Sequence, residues 1–156
     1  MDAILYWNEV SLEAVANDHT GTPVGTTPNP DQGGPTRTAR AMAIVHLAMY
    51  DAFNSITPTH AAYLAGLPAP APGASVAAAI GEAAYVTLSR LYPKQFSQFL
   101  VKRKDFEMGL MDSPQAISDG RIQGRQVAEA LLTLRATDHA DAPMSYTYSD
   151  QPGKHR

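Results

Sequence analysis

Between Ala39 and Phe53 the chain carries only three charged or strongly polar side chains, Arg40, His46 and Asp51. Pro35 opens this stretch and Thr57-Pro58 closes it, so the pattern predicts one helix from Pro35 to about Ser55. At 100° per residue Arg40, Asp51 and Asn54 share a face, while His46 sits among Met42, Met49 and Phe53. A helix apolar on nearly every side is expected to be surrounded by protein. Five helices of this size cannot readily enclose a central one, so the missing wrapping predicts that further chain covers this piece.

Four more helices are predicted around it. The first runs from Asp2, an N-cap residue, to about Asn17, with Ile4, Trp7, Leu12, Ala14 and Val15 in one arc. Asp18 to Gly34 holds four of the eleven glycines and three of the twelve prolines, and reads as a loop too long to be a simple connector. Leu67 to Gly73 is a Pro/Ala-rich, extended linker. The third helix spans Ser75 to Leu91, with Ala77, Ile80, Ala84, Leu88 and Leu91 along one side and Pro93 as its stop. The fourth covers Lys94 to Met111 with Phe96, Phe99, Leu100, Phe106 and Leu110 on one face. Ser113 followed by Pro114 announces the fifth, striped by Ile117, Gly120, Gly124, Val127, Leu131 and Leu134. Each of those two glycines costs about 1 kcal/mol of helix propensity relative to alanine. A neighbouring helix backbone packed closely against them is the reason to keep them. No run alternates at the period of a half-buried strand, and the fold class is all-α.

Composition narrows the function. A net charge of -3 and a pI near 5.9 argue against nucleic-acid or anionic-membrane partners, which need a basic footprint. The absence of cysteine excludes disulfides and thiolate-bound metal. No apolar run approaches the roughly 20 residues of a membrane span, and no signal peptide precedes the first helix in this numbering. Single residues read blandly. His46 has no second ligand at the i+4 position, where Tyr50 stands, and is expected to be a hydrogen-bonded core histidine. Tyr6 and Trp7 are core anchors, and Lys102-Arg103-Lys104 is a solvated face. Arg40 and Asp51 suit ion pairs with neighbouring helices. His19 suits a cap or loop contact, with a place at a channel mouth as the sharper reading.

An ordered set of short motifs then carries a resemblance. Tyr6-Trp7-Asn8-Glu9-Val10-Ser11-Leu12-Glu13, His19-Thr20, Gly33-Gly34-Pro35, Ala39-Arg40-Ala41, His46-Leu47-Ala48 and Asp51-Ala52 follow one another, then Leu91-Tyr92-Pro93, Gly120 to Gly124, and Arg135-Ala136-Thr137-Asp138. The series ends in Gln151-Pro152-Gly153. In this order it resembles the N-terminal half of the vanadium-dependent haloperoxidases, within the superfamily they share with type 2 phosphatidic acid phosphatases; His139 stands where those proteins usually have glycine. The resemblance implies a helical-bundle enzyme that uses hydrogen peroxide and vanadate to oxidise halide, for attack on a small organic substrate. Its oxyanion pocket is built from a lysine, arginines, a Ser-Gly-His turn and an axial histidine. No Pro-Ser-Gly-His, Ser-Arg-x-x-x-Gly-x-His or Lys-x6-Arg-Pro occurs here, so no catalytic residue and no metal ligand carries over. Residues 1–156 are then expected to be the N-terminal helical segment of a larger domain, partnered by a C-terminal catalytic segment, with homo-oligomerisation open. Pro35 matches a proline on the apolar side of the family's substrate channel. The same scaffold in a phosphatase, or a non-enzymatic helical interaction module, are the alternatives. A periplasmic or secreted location fits the resemblance alone.

Overall fold

The computed structural model describes residues 2–20, 29–140, 142 and 148–153. Among them lie five α-helices and no strand: α1 (Ala3–Thr20), α2 (Pro35–Ile56), α3 (Val76–Leu91), α4 (Phe96–Met108) and α5 (Pro114–Arg135), with a single 3-10 turn, Pro93–Gln95, leading into α4. The all-α expectation holds. The predicted loop from Asp18 to Gly34 begins later than expected, because α1 runs on to Thr20; positions 21–28 of that loop lie outside the described residues.

Helix ends follow the local chemistry. The Ser75 hydroxyl accepts from the Ala78 N–H at 3.2 Å and donates to Asp112 at 2.6 Å, fixing the start of α3. Ser113 caps α5 in the same way through the Ala116 N–H, with Pro114 at the first helical position. Helix α4 ends at Met108 rather than Met111, because the Gly109 and Leu110 N–H groups bond back to Phe106 and Glu107 in a closing turn.

The centre of the bundle is α3, not α2. Eleven of its sixteen residues are buried, and it packs against the other four helices. Its small residues make this possible. A Cβ on Gly124 would fall inside the van der Waals envelope of the Ala79 carbonyl, and one on Gly120 would strike the Ser75 carbonyl. The predicted close crossing at these two glycines is therefore a backbone-to-backbone contact between α3 and α5. On the opposite side of α3, a Cβ on Gly81 would meet the Phe106 ring at 2.8 Å and Trp7 Nε1 at 3.0 Å. Trp7, fully buried, lies edge-on to Phe106 and Tyr6 with centroid separations of 5.9 and 5.5 Å.

The buried stripes of the outer helices differ from expectation in places. Helix α1 buries Ala3, Trp7, Val10, Ser11, Ala14 and Asp18, which turns Ile4 and Leu12 outward. Phe99 and Phe106 anchor α4, whereas Phe96 is half exposed; Leu134 lies beyond the α3 contact and is also exposed. In α2, Ala41, Ile44, Val45, Ala48, Met49 and Ala52 face α3 and α5. Its other side is left outward, with Ala39 and Ala43 exposed and Leu47 and Tyr50 half-buried. Among the described residues no helix is long and apolar enough to cross a membrane.

Candidate functional site

Pro35 sits where the chain enters α2, and a network of polar contacts holds that entrance. The buried Asp18 carboxylate, in the last turn of α1, accepts the Asp31 N–H on one oxygen and the Gln32 N–H on the other, both at 2.8 Å. The Gln32 side chain donates to the Leu91 carbonyl at 2.7 Å, tying the same loop to the end of α3. Lys94 Nζ donates to the Asn29 carbonyl at 2.6 Å and pairs with Asp31 at 3.1 Å. Gly34 takes φ +84°, a left-handed value that suits glycine, and turns the chain directly into Pro35 at the first position of α2. Thr38 then donates back to the Gln32 and Gly34 carbonyls at 3.0 Å. Beneath this loop lies the buried Tyr92 hydroxyl. Burial first, then the Asp18 and Asp31 carboxylates, push its pKa up to about 12.

Together these contacts shape an open, largely apolar cleft of about 510 Å³ between α1 and α2, lined by Val15, His19, Gly34, Pro35, Thr38 and Ala39. His19 and Pro35, singled out separately in the sequence, thus share one wall. His19 Nδ1 lies 3.0 Å from the Val15 carbonyl, so that nitrogen donates. The cleft offers shape, apolar surface and one imidazole. Among the described residues its lining includes no arginine or lysine.

The arginines are engaged elsewhere. Arg40 grips Asp138 through two hydrogen bonds of 2.8 and 3.1 Å and caps the Arg135 carbonyl at 2.8 Å. That hydrogen bonding holds the Asp138 carboxyl below the usual carboxylate range. A groove of about 770 Å³ beside this pair also takes in Arg90, Arg135 and Glu129. On the far side of α3 the side chain of Glu82, 1% exposed, is met by Arg103 at 2.8 Å, by Arg121 at 3.7 Å and by Arg125 in close contact. Glu107 and Glu129 complete the set, so three guanidiniums face three carboxylates. Arg103 also lies over the Tyr85 ring at 4.7 Å. It is mostly buried and is no part of a solvated face, while Lys102 pairs with Glu13 at 2.9 Å at the surface.

Asp51 and Arg40, which share a face of α2, do different work at its two ends. The buried Asp51 carboxylate accepts the Tyr63 and Leu64 N–H groups, both at 2.8 Å, and burial raises its pKa despite the Leu64 bond. One turn on, Asn54 accepts the Thr59 and His60 N–H groups and donates to the His60 carbonyl. His46 is half-buried at the seam between α1 and α2. Its Nδ1 donates to the Met42 carbonyl at 2.9 Å and its Nε2 lies 3.1 Å from Asn8 Oδ1, the hydrogen-bonded role expected of it.

An oxyanion such as vanadate needs several cationic or N–H donors converging on one open point. The described residues hold their arginines mainly in ion pairs. Their densest group of arginines is balanced by carboxylates, Arg40 is bound to Asp138, and no three His, Asp or Glu side chains are grouped as a metal site among the described residues. No signal in the sequence pointed to Asp18, Gln32 or Lys94 as the residues that shape the cleft, because most of their partners are backbone atoms distant in sequence.

Comparison with known proteins gives this all-α domain a family. The family model for the vanadium chloroperoxidase N-terminal domain matches residues 1–156. A vanadium chloroperoxidase from Curvularia inaequalis is 36% identical over 108 residues, covering 61% of this chain. The match takes in only 16% of that relative's length. No solved structure matches the chain. With the family model spanning every residue from Met1 to Arg156, the chain belongs to the vanadium chloroperoxidase N-terminal domain family.

Proposed function

We propose that this chain is the scaffold and substrate-channel segment of a vanadium-dependent haloperoxidase whose catalytic residues lie in a further, C-terminal segment of the polypeptide. In that protein hydrogen peroxide and halide are consumed, and a small organic molecule is the acceptor of the oxidised halogen. The observation that carries the reading is the family match over residues 1–156, beside arginine pairs and clusters that are taken up by carboxylates. Vanadate, where bound, would supply peroxide activation from outside this chain. The residues here do three things: α3 and α5 set a rigid core, the Asp18 clamp fixes the loop before α2, and Pro35 with His19 offers an apolar wall past which a substrate or product moves.

The test is made on the full polypeptide expressed from the gene. Halide oxidation is followed with a phenol-red-type substrate, and phosphate-ester hydrolysis with a chromogenic monoester, each with and without added vanadate. Vanadate-dependent halogenation is the expected result. Hydrolysis of the ester, suppressed by vanadate and with no halogenation, would instead identify the phosphatase reading of the same scaffold. Neither activity would leave the interaction-module reading.

A further inference from the structure

The outward side of the α1–α2 pair carries more apolar surface than a solvated helix pair should. On α1, Leu5 and Leu12 are 68% and 54% exposed, two turns apart on one side of the helix, with Ala16 exposed beside them. On α2, Ala39 and Ala43 are exposed and Leu47 and Tyr50 half-buried along the adjoining side. The seam between the two rows is closed by the His46–Asn8 contact. No charged residue occurs from Ala41 to Tyr50, nearly three turns of α2. Single exposed leucines are ordinary; a two-helix surface with an uncharged half is not.

Other apolar surface on the molecule does not share this character. The groove between α1 and α4 includes Val101 but is edged by Lys102 and Asp105, and Lys102 is paired with Glu13 across it. Ile122 stands beside Arg121 and Arg125 on α5. Met108 and Met111 are exposed at the end of α4 and just past it, not along a helix pair.

We infer that the α1–α2 side is an interface, and that its occupant is an apolar helix from the region that follows this domain in a longer polypeptide. The inference rests on the functional reading above, in which such a region exists. The size of what lies outside this domain supports it: the matched stretch is 16% of the Curvularia relative, leaving most of that protein to pack against something. The surface also describes its occupant. Ala39 and Ala43, exposed and one turn apart, present only methyl groups, so large aliphatic or aromatic side chains of a helix laid along the seam can come close to the α2 backbone. Leu5 and Leu12 form the facing ridge, and Glu9, exposed at the rim, favours a lysine or arginine on the outer edge of the partner helix. The cleft holding Pro35 and His19 opens at one end of this seam, through the shared residue Ala39. The docked region therefore meets the proposed channel wall directly.

The test places single cysteines in the full polypeptide and measures the rate of thiol labelling by a small maleimide. Leu12→Cys and Ala43→Cys report the seam. Val101→Cys and Ile122→Cys, at sites 57% and 55% exposed, report ordinary surface. The expected result is labelling about tenfold slower or more at the two seam positions than at the two controls, as access governs the rate of a free thiol. Equal rates at all four positions overturn the inference. Protection at Leu12→Cys that disappears on dilution also overturns it, because the occupant is then a second copy of the chain. Halide oxidation assayed on the same preparations separates the two claims: activity without protection sinks the interface alone, whereas persistent protection without activity leaves the interface standing and removes the functional reading.

Discussion

Arg40, at the start of α2, holds Asp138, just past the end of α5, through two hydrogen bonds across 98 residues of sequence. The same guanidinium caps the Arg135 carbonyl, so one side chain satisfies an orphan acceptor at a helix C-terminus and fixes the chain that leaves it. Because Asp138 titrates below the usual carboxylate range, its contribution to stability is present above the ordinary carboxylate value. It is lost as pH falls through the depressed value of the folded state. Asp138→Asn should therefore melt below the parent at neutral pH, with the gap closing in acid. A melting series from neutral to acid pH checks this, and a gap that widens in acid would contradict it. The pair lies at the surface, so the gap should also narrow with added salt.

Asp51 has the opposite sign. Burial raises its folded-state pKa, so what it contributes is greatest below the ordinary carboxylate value and is lost as pH rises through the raised value. Asp51→Asn replaces one of two acceptors with a donor facing a backbone N–H. Leaving that buried N–H unsatisfied should cost about 1–3 kcal/mol, read by urea unfolding. The cost should be larger in acid than at neutral pH.

The α3–α5 crossing gives the sharpest mechanical prediction. Gly124→Leu places a side chain where the Ala79 carbonyl lies, and Gly120→Leu where the Ser75 carbonyl lies. Each should destabilise by roughly 1–3 kcal/mol or more, since backbone cannot yield as a side chain can. Denaturant midpoints of the two variants that matched the parent would place these glycines away from the crossing.

Glu82 should prove more important than its arginines. Glu82→Ala leaves the largely buried Arg103 guanidinium with Glu107 alone, at 3.2 Å, and should cost about 3 kcal/mol. Arg125, nearly half exposed, should lose less than about 1 kcal/mol on replacement by alanine. Comparable losses for the two variants would show the network to be shared evenly.

Pro35→Ala should change which organic substrates or halides the full protein uses while leaving vanadate affinity nearly unchanged, because the residue lines an apolar cleft whose lining, among the described residues, includes no arginine or lysine. Substrate profiles and vanadate titrations of the variant check the two halves of the statement. A large fall in vanadate affinity would place Pro35 against the oxyanion pocket.

The helices were legible in the sequence because their ends carry local chemistry: Ser75, Ser113-Pro114 and Thr57-Pro58 act within a few residues of themselves. The glycine crossing was legible because a helix interior tolerates Gly120 and Gly124 only for a packing reason. The identity of the central helix was not. The scarcity of charge between Ala39 and Phe53 favours α2, but enclosure depends on how near neighbours can come, and the alanines and Gly81 of α3 let them come closest. Nor were the buried polar residues legible. Ser11, Asp18, Asp51, Glu82 and Gln95 bind backbone or distant side chains, and a periodicity that sorts residues by polarity turned Ile4 and Leu12 inward in place of Ser11 and Asp18. Pro35 and His19 were each visible by motif; that they share a cleft required the Asp18 clamp.

The Ala79–Gly124 contact has a dynamic consequence. Where two helices are separated by side chains, rotamer changes let them glide by fractions of an ångström. Here the Ala79 carbonyl occupies the notch left by a missing side chain, and a neighbouring notch exists only one turn away, at Gly120. Small sliding is blocked and a full-turn jump would break the Ser75–Ala116 and Ser75–Asp112 bonds. The pair thus behaves as a ratchet locked in one position, and any movement of α1, α2 or α4 on binding takes place against a fixed rail.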